Sequence, residues 1–258
     1  MSTEPFGHLR GDGTTREAVR VMREIVVAVR EACADALALL LPVWCAGCDE
    51  PDVALCERCA LALQPDLRVR VVDAPGGAVE VWSGLAFAGV AARVLRAIKE
   101  EGRTGLAVAV APALAAALDR AGAAGCVAVP MPTSRAAYRR RGFRVPELLL
   151  RRARRPVRRL LRHARRTDDQ RGLDRDARRR NVAHSMVATM RPSTPRRADV
   201  GVGEQTRPVT PLRVVVVDDV VTTGASLAEA VRALRAAGVE VVAAVTVAAT
   251  PRRPGTAT

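Results

Sequence analysis

The chain has 258 residues, 49% of them hydrophobic and 26% charged, which allows a full-sized core and excludes a disordered polypeptide. Two Trp, one Tyr and three Phe are too few for nucleic-acid binding that relies mainly on stacking bases on aromatic platforms. Lys and Arg number 41 against 27 acids, a net charge of +14, and 19 Arg against five acids fall between Arg135 and Arg180, so the surplus is local.

The spacing of Val19, Met22, Val26 and Val29 predicts a helix from about Arg16 to Leu41, closed by Pro42. Cys45 to Cys59 form a cysteine-rich loop. Strands are predicted near Leu67–Val72 and Val79–Phe87, separated by the turn Pro75-Gly76-Gly77. Helices follow at Val90–Glu101, which carries Lys99, and at Leu106–Ala121. Cys126–Val129 reads as a short strand, Val145–Arg154 as a helix and Pro156–Arg165 as a further helix. Asp168–Asn181 is charged and without core periodicity, so a mobile surface element is expected. Arg191–Pro211, rich in Pro, Thr and Arg, reads as an exposed loop. Val214–Val217 is an apolar β-branched strand, Leu227–Ala237 a helix ended by Gly238, and Val239–Val247 the last strand. This alternation predicts an α/β fold with a parallel sheet covered by helices on both faces.

The uncharged run Ala36–Cys48 has 13 residues, short of the ~20 that cross a bilayer. The polar N-terminus lacks the pattern of a signal peptide. A cytoplasmic protein without membrane insertion is expected, its cysteines reduced or metal-bound.

Cys45 and Cys48 form one CxxC, and Cys56 and Cys59 a second, with seven residues between them. Each knuckle can bring two thiolates to one ion, and two knuckles complete a closed tetrahedral site of the structural zinc kind. The alternative is four free or redox-active thiols. Cys33 and Cys126 read as packing residues.

The strongest signal is the run Val214 to Ser226. A buried strand delivers Asp218 and Asp219, and the turn Thr222-Thr223-Gly224-Ala225-Ser226 opens a helix. Ligands of parallel α/β sheets bind beyond the carboxyl ends of the strands. Unpaired N–H groups and the helix dipole favour an anion at such a turn, and the hydroxyls add donors. The carboxylates suit sugar hydroxyls, met directly or through the water shell of a metal. An ordinary helix capped by Asp219 or Thr223 would not require two adjacent acids beside an anion site.

This run resembles the phosphoribosyl-pyrophosphate (PRPP) motif of type I phosphoribosyltransferases. The resemblance implies Asp218 and Asp219 at the ribose hydroxyls, Thr222 to Ser226 around the 5′-phosphate, and magnesium accompanying the pyrophosphate. From about Leu39 to Thr246 the chain is similar to the ComF family, which joins a four-cysteine module to such a domain. The cysteine pairs, Lys99 before Gly102-Arg103, Val127 to Pro132, Arg135, Arg141-Gly142-Phe143, Arg166-Thr167 with Gln170 and Leu173, Arg178 with Asn181-Val182, and the PRPP run appear in family order. Arg144-Val145 depart from the Asn-Gln that often follows Arg-Gly-Phe there.

Such a protein must neutralise a leaving pyrophosphate. Thr133, Ser134 and Arg135 follow a neighbouring strand and suit that role, with Lys99 as a further charge. Asp168–Asn181 is expected to close over the site. No general base stands out: Asp218 and Asp219 are candidates, while His163 and His184 read as surface or packing residues.

The expected organisation is an N-terminal helix and zinc module over 1–62, then a phosphoribosyltransferase-like domain over 63–258, with a mobile basic segment 135–181 and an exposed loop 191–211. The expected activity is binding or transfer of a phosphoribosyl group from PRPP, or a related phosphorylated sugar, to an acceptor the sequence does not name. The alternative is a non-catalytic PRPP- or nucleotide-binding accessory protein that contacts DNA or RNA through its basic segment. ComF proteins are associated with DNA uptake in competence, which is what the resemblance implies for this second role. A third reading is a scaffold whose zinc module docks a partner protein.

Overall fold

A computed structural model describes Met22, Val29 and residues 43–164, 184–190 and 211–251. Met22 and Val29 are helical; the rest of the predicted helix 16–41, with Cys33, lies outside the described residues, as do 168–181 and 191–210. The chain divides into two compact units, residues 1–45 with 49–54, and 46–48 with 55–258.

In the described part of the first unit, Trp44 and Pro51 form an antiparallel bridge. The Cys45 N–H donates to the Glu50 carbonyl at 2.7 Å, and the Asp49 N–H to the Cys45 carbonyl at 2.9 Å. Asp49 and Asp52 take positive φ, a conformation Asp tolerates better than most side chains.

The second unit is built on α1 (Glu57–Leu61), β1 (Arg68–Val72), β2 (Val79–Ala86), α2 (Gly89–Glu100), α3 (Ala107–Arg120), β3 (Val127–Pro130), α4 (Arg135–Arg141), α5 (Val145–Arg152), β4 (Leu161–His163), β5 (Met186–Ala188), β6 (Arg213–Val221), α6 (Ala225–Arg235) and β7 (Glu240–Ala249). A five-stranded sheet runs β1-β2-β7-β6-β3, and β4 pairs with β5 in a separate ribbon. Strands β2, β7, β6 and β3 are mutually parallel. Only the edge strand β1 is antiparallel, joined to β2 through the predicted Pro-Gly-Gly turn. The fold is α/β, with a mixed, mostly parallel sheet flanked by helices.

Why Val214–Val217 of β6 form an unbroken apolar run follows from the two covered faces of the strand. Val215 and Val217 join a core with residues of α2, α3 and α5, including Val94, Ile98, Leu114 and Leu149. Val214 and Val216 point to the other core, with Leu227, Val231 and Leu234 of α6 and Leu161 and Met186 of the ribbon. The Ala-rich α3 approaches the sheet so closely that a Cβ on Gly84 of β2 would lie 2.3 Å from the Ala113 carbonyl oxygen. Ala46, Leu55 and Leu63, which flank the cysteines, pack with the first of these cores.

Two expectations are corrected. The predicted helix Pro156–Arg165 is not formed by its described residues, 156–164. Pro156 disfavours helical geometry in the residue before it, and the backbone beyond finds partners in β-structure instead. Val157 bridges to Ala128 in parallel, the Arg158 N–H donates to the Ala128 carbonyl at 3.0 Å, and 161–163 form β4. The strand carrying the acids does not end at Val217. It continues to Val221, with Asp218 opposite Thr246 and Val220 opposite Ala248.

Candidate phosphate and metal sites

The acid pair sits near the carboxyl end of β6, inside the strand. Asp219 is 7% exposed and Asp218 is partly exposed. Asp218 Oδ1 accepts the Asp219 N–H at 2.9 Å, and Asp219 Oδ1 accepts the Val220 N–H at 3.0 Å. Lys99, in the last turn of α2, donates from Nζ to Asp219 Oδ2 at 2.7 Å. Ile98 and Leu95, both buried, anchor that turn, and a helix C-terminus suits a cation. The sequence proposed Lys99 for pyrophosphate; its partner here is Asp219.

These contacts split the two carboxyls. Burial raises the pKa of Asp219, but the charge and hydrogen bond of Lys99, with a bond from Asp218, outweigh it and hold the group below its ordinary value. Asp218 is pushed well above the ordinary range, first by burial and then by the charge of Asp219.

Three residues beyond Asp219 the chain turns. Thr222, Thr223 and Ser226 are exposed. Gly224 is the N-cap of α6 at φ 85°, without a side-chain cap, so neither Asp219 nor Thr223 caps this helix. Thr223 Oγ1 accepts only a long bond, 3.4 Å, from the Ala225 N–H. A Cβ on Gly224 would come within 2.7 Å of Val72 Cγ2, so packing as well as φ requires glycine. The first N–H groups of an 11-residue helix thus open beside three hydroxyls, an arrangement that can hold an anion.

Arg70 of β1, absent from the sequence-level candidates, braces this turn. It donates to the Thr222 carbonyl and to the Thr250 carbonyl, each at 2.8 Å. Its one sequence signal is an Arg alternating with Val69 and Val71 on a strand; nothing local names partners 152 and 180 residues away.

The loop after β3 leaves the sheet beside the acids. The Met131 N–H donates to the Val217 carbonyl at 2.8 Å, extending the β3–β6 pairing. Ser134 caps α4, its Oγ accepting the Ala137 N–H at 3.1 Å. Arg135 is the first residue of that helix and is exposed, with no bond to the acids or the turn among the described residues. His163 Nε2 lies 3.0 Å from the Pro132 carbonyl, which ties β4 to the same loop. The ribbon is held from its other side by buried Glu229 of α6. This carboxylate accepts the Met186 N–H at 3.1 Å and pairs with Arg232, which also donates to the Met186 carbonyl.

Much of the described basic segment is internally offset. Glu147, 5% exposed, takes two 2.7 Å bonds from Arg159 and lies within 4.0 Å of Arg144 and Arg151. Arg155 pairs with Asp119. Arg139, Arg140 and Arg141 occupy the last turn of α4, which Gly142 closes in the left-handed conformation.

The four thiol sulfurs of Cys45, Cys48, Cys56 and Cys59 lie within 4.8 Å of one another, and Cys48 and Cys56 are 3.6 Å apart. Four Zn–S bonds of about 2.3 Å in a tetrahedron place the sulfurs about 3.8 Å apart. The cluster therefore fits a four-thiolate metal centre with no position left open. Packing fixes it: a Cβ on Gly47 would lie 2.5 Å from Cys59 Sγ. The pKa of Arg58, on α1, is raised, first by a hydrogen bond to Cys48 and then by the charges of the thiols.

Two acids near the end of a strand and a hydroxyl-rich turn opening a helix, on a mostly parallel sheet, make an α/β domain whose turn can hold an anion. Residues 151–256 match the family model described as phosphoribosyl transferase domain. The chain thus carries a phosphoribosyltransferase-like domain together with a four-cysteine cluster capable of binding metal. The cysteines, Lys99 and Arg135 lie outside the matched stretch. No curated protein gives a significant match to the chain. Among the described residues, no helix is long and apolar enough to cross a membrane.

Proposed function

We propose that the protein binds PRPP and transfers its phosphoribosyl group to a base or amine acceptor. The observation that carries this reading is the placement of Asp218 and Asp219 four and three residues before the Thr222–Ser226 turn on one strand-to-helix connection. The turn and the α6 N–H groups hold the 5′-phosphate. The acids lie toward the ribose hydroxyls, and Arg135 and Lys99 supply charge on the pyrophosphate side. In the reaction the bond from ribose C1 to pyrophosphate breaks and a bond to the acceptor forms. The sugar is cation-like in between, so the chain acts by positioning and electrostatics.

Magnesium, when bound, shields the pyrophosphate. One or two carboxylates with substrate oxygens suit that ion, and Asp218 and Asp219 supply such donors beside the turn. Zinc in the four-cysteine cluster is structural, and a reducing cytosol keeps those thiols available. Calorimetry with PRPP and magnesium tests the proposal: D218N/D219N retains its circular dichroism and loses binding. Unchanged affinity in that variant would place the pocket elsewhere.

A second reading is an accessory protein that binds PRPP or a nucleotide without turnover and contacts DNA or RNA, as in DNA uptake during competence. It is favoured by the exposed Arg139, Arg140, Arg152 and Arg154, which have no ion-pair partner among the described residues. A docked protein partner at the cysteine module is compatible with both readings.

A further inference from the structure

We infer that Lys99 is the built-in counter-ion of the acid pair, paired to Asp219 so that the Thr222–Ser226 turn captures a ribose 5-phosphate group without a divalent metal. The inference rests on reading that turn as a phosphate site and adds how the site tolerates its own acids.

The difficulty is electrostatic. Two adjacent carboxylates stand four and three residues before a turn meant for a phosphate. At ~3.3 Å per residue the nearer, Asp219, is at most about 10 Å away. One unit charge at that distance changes anion affinity on the order of tenfold at an effective dielectric near 20. Two ionised acids would therefore strongly oppose the ligand. In water a mobile cation would screen them, but Asp219 is buried and the screening must be local.

Lys99 supplies it. Its ammonium lies 2.7 Å from Asp219 Oδ2, while the Val220 N–H takes Oδ1. Asp219 thus has both oxygens engaged and its charge offset. The side chain of Lys99 is 37% exposed, so the ammonium sits at the rim of the site and its field extends into it. The lysine reaches this position from α2, 120 residues earlier in the chain, and it is the only lysine in the sequence. The state that meets the ligand carries less negative charge than the sequence Asp-Asp suggests.

The test titrates ribose 5-phosphate into the full-length protein at low ionic strength with EDTA. The wild type binds. K99M binds at least about tenfold more weakly and K99R stays within about threefold; for inorganic phosphate, which makes no ribose contact with Asp219, K99M is weakened likewise and K99M/D219N recovers most of the loss because the charge needing a partner is gone. K99M binding as the wild type does would overturn the inference. So would a double variant as weak as K99M, which would mean that Lys99 touches the ligand itself. D219N, probed with inorganic phosphate alone, provides a second measurement that does not depend on K99M folding. It binds at least as tightly as the wild type, and weaker binding would refute the counter-ion role. A wild type that binds neither ribose 5-phosphate nor PRPP with magnesium would instead overturn the phosphate site, and the inference with it.

Discussion

Arg70 donates to the backbone carbonyl of Thr222 at 2.8 Å, which fastens the edge strand of the sheet to the first residue of the candidate phosphate turn. A second bond, to the Thr250 carbonyl, makes the guanidinium a clamp across the ends of β6 and β7. The other side-chain bonds at the turn are long, 3.4 Å from the Ala225 N–H to Thr223 Oγ1 and 3.5 Å from Thr250 Oγ1 to the Thr222 carbonyl, and its helix has no side-chain cap.

R70A is therefore expected to weaken PRPP binding about tenfold while costing only about 1–2 kcal/mol of stability, since a charged donor leaves two partly solvated carbonyls behind. R70K, which cannot span both carbonyls, should fall between. Calorimetry and urea melts on the same samples separate the two effects. A loss of stability without loss of affinity would show that the clamp serves the fold alone.

The acid pair predicts a stability–function conflict. Asp218 has a raised pKa in the folded protein, so its stabilising contribution is fully present below the unfolded value of about 3.9 and is lost as pH rises through the folded value. Asp219 runs the other way: its pKa is depressed, so its contribution is present above the unfolded value and is lost as pH falls through the folded one. D218N removes the unfavourable charge. It should melt higher than the wild type at pH 7–8, with the advantage shrinking toward pH 4, and it should bind PRPP poorly. Equal melting temperatures at pH 7.5 would mean that Asp218 is not held in a disfavoured charged state.

The sheet order of this domain and its candidate site were unequally legible. Val214 to Ser226 announced itself because strand, acids, turn and helix are consecutive in sequence. The paired cysteines did so because two-residue spacings reflect one knuckle each. Lys99 stands out in the sequence, but its partner does not, since an ion pair across 120 residues leaves no local trace. Arg70 is silent in the sequence for the same reason. Strands β4 and β5 have three residues each, too short for periodicity to separate from loop or helix. Hydropathy stops at Val217, which in sequence sets the acids beyond their strand. The backbone ladder continues regardless, with Asp218 set opposite Thr246.

Metal removal should affect more than the cysteine loop. Ala46, Leu55 and Leu63 around the cysteines pack with the core of the second unit, so loosening the knuckles exposes that core. One zinc per chain is expected under reducing conditions. A strong chelator should cost at least about 3 kcal/mol, or roughly 6–12 °C in midpoint for a chain of this size. C56S/C59S should reproduce the shift and abolish metal uptake. Protein purified without stoichiometric metal, melting identically with and without chelator, would contradict a structural zinc centre.

The basic face gives the last prediction. Arg144, Arg151 and Arg159 surround Glu147, and Arg155 pairs with Asp119, so neutralising any of these disturbs packing as well as charge. Arg139, Arg140, Arg152 and Arg154 are the cleaner probes, being exposed and without an ion-pair partner among the described residues. If the face holds nucleic acid, the wild type should retard DNA at low salt without sequence preference, and affinity should fall steeply as counterions are added. Changing these four to Gln should flatten the log–log salt dependence by about 0.9 for each phosphate that is no longer neutralised. Scarce aromatics leave little basis for preferring single strands. The same variant should bind PRPP normally, because none of the four touches the acids or the turn. R135A should do the opposite, weakening PRPP while sparing DNA, since Arg135 follows the loop beside the acids. No retardation by the wild type at low salt would remove the nucleic-acid role and leave phosphoribosyl transfer as the function of the domain.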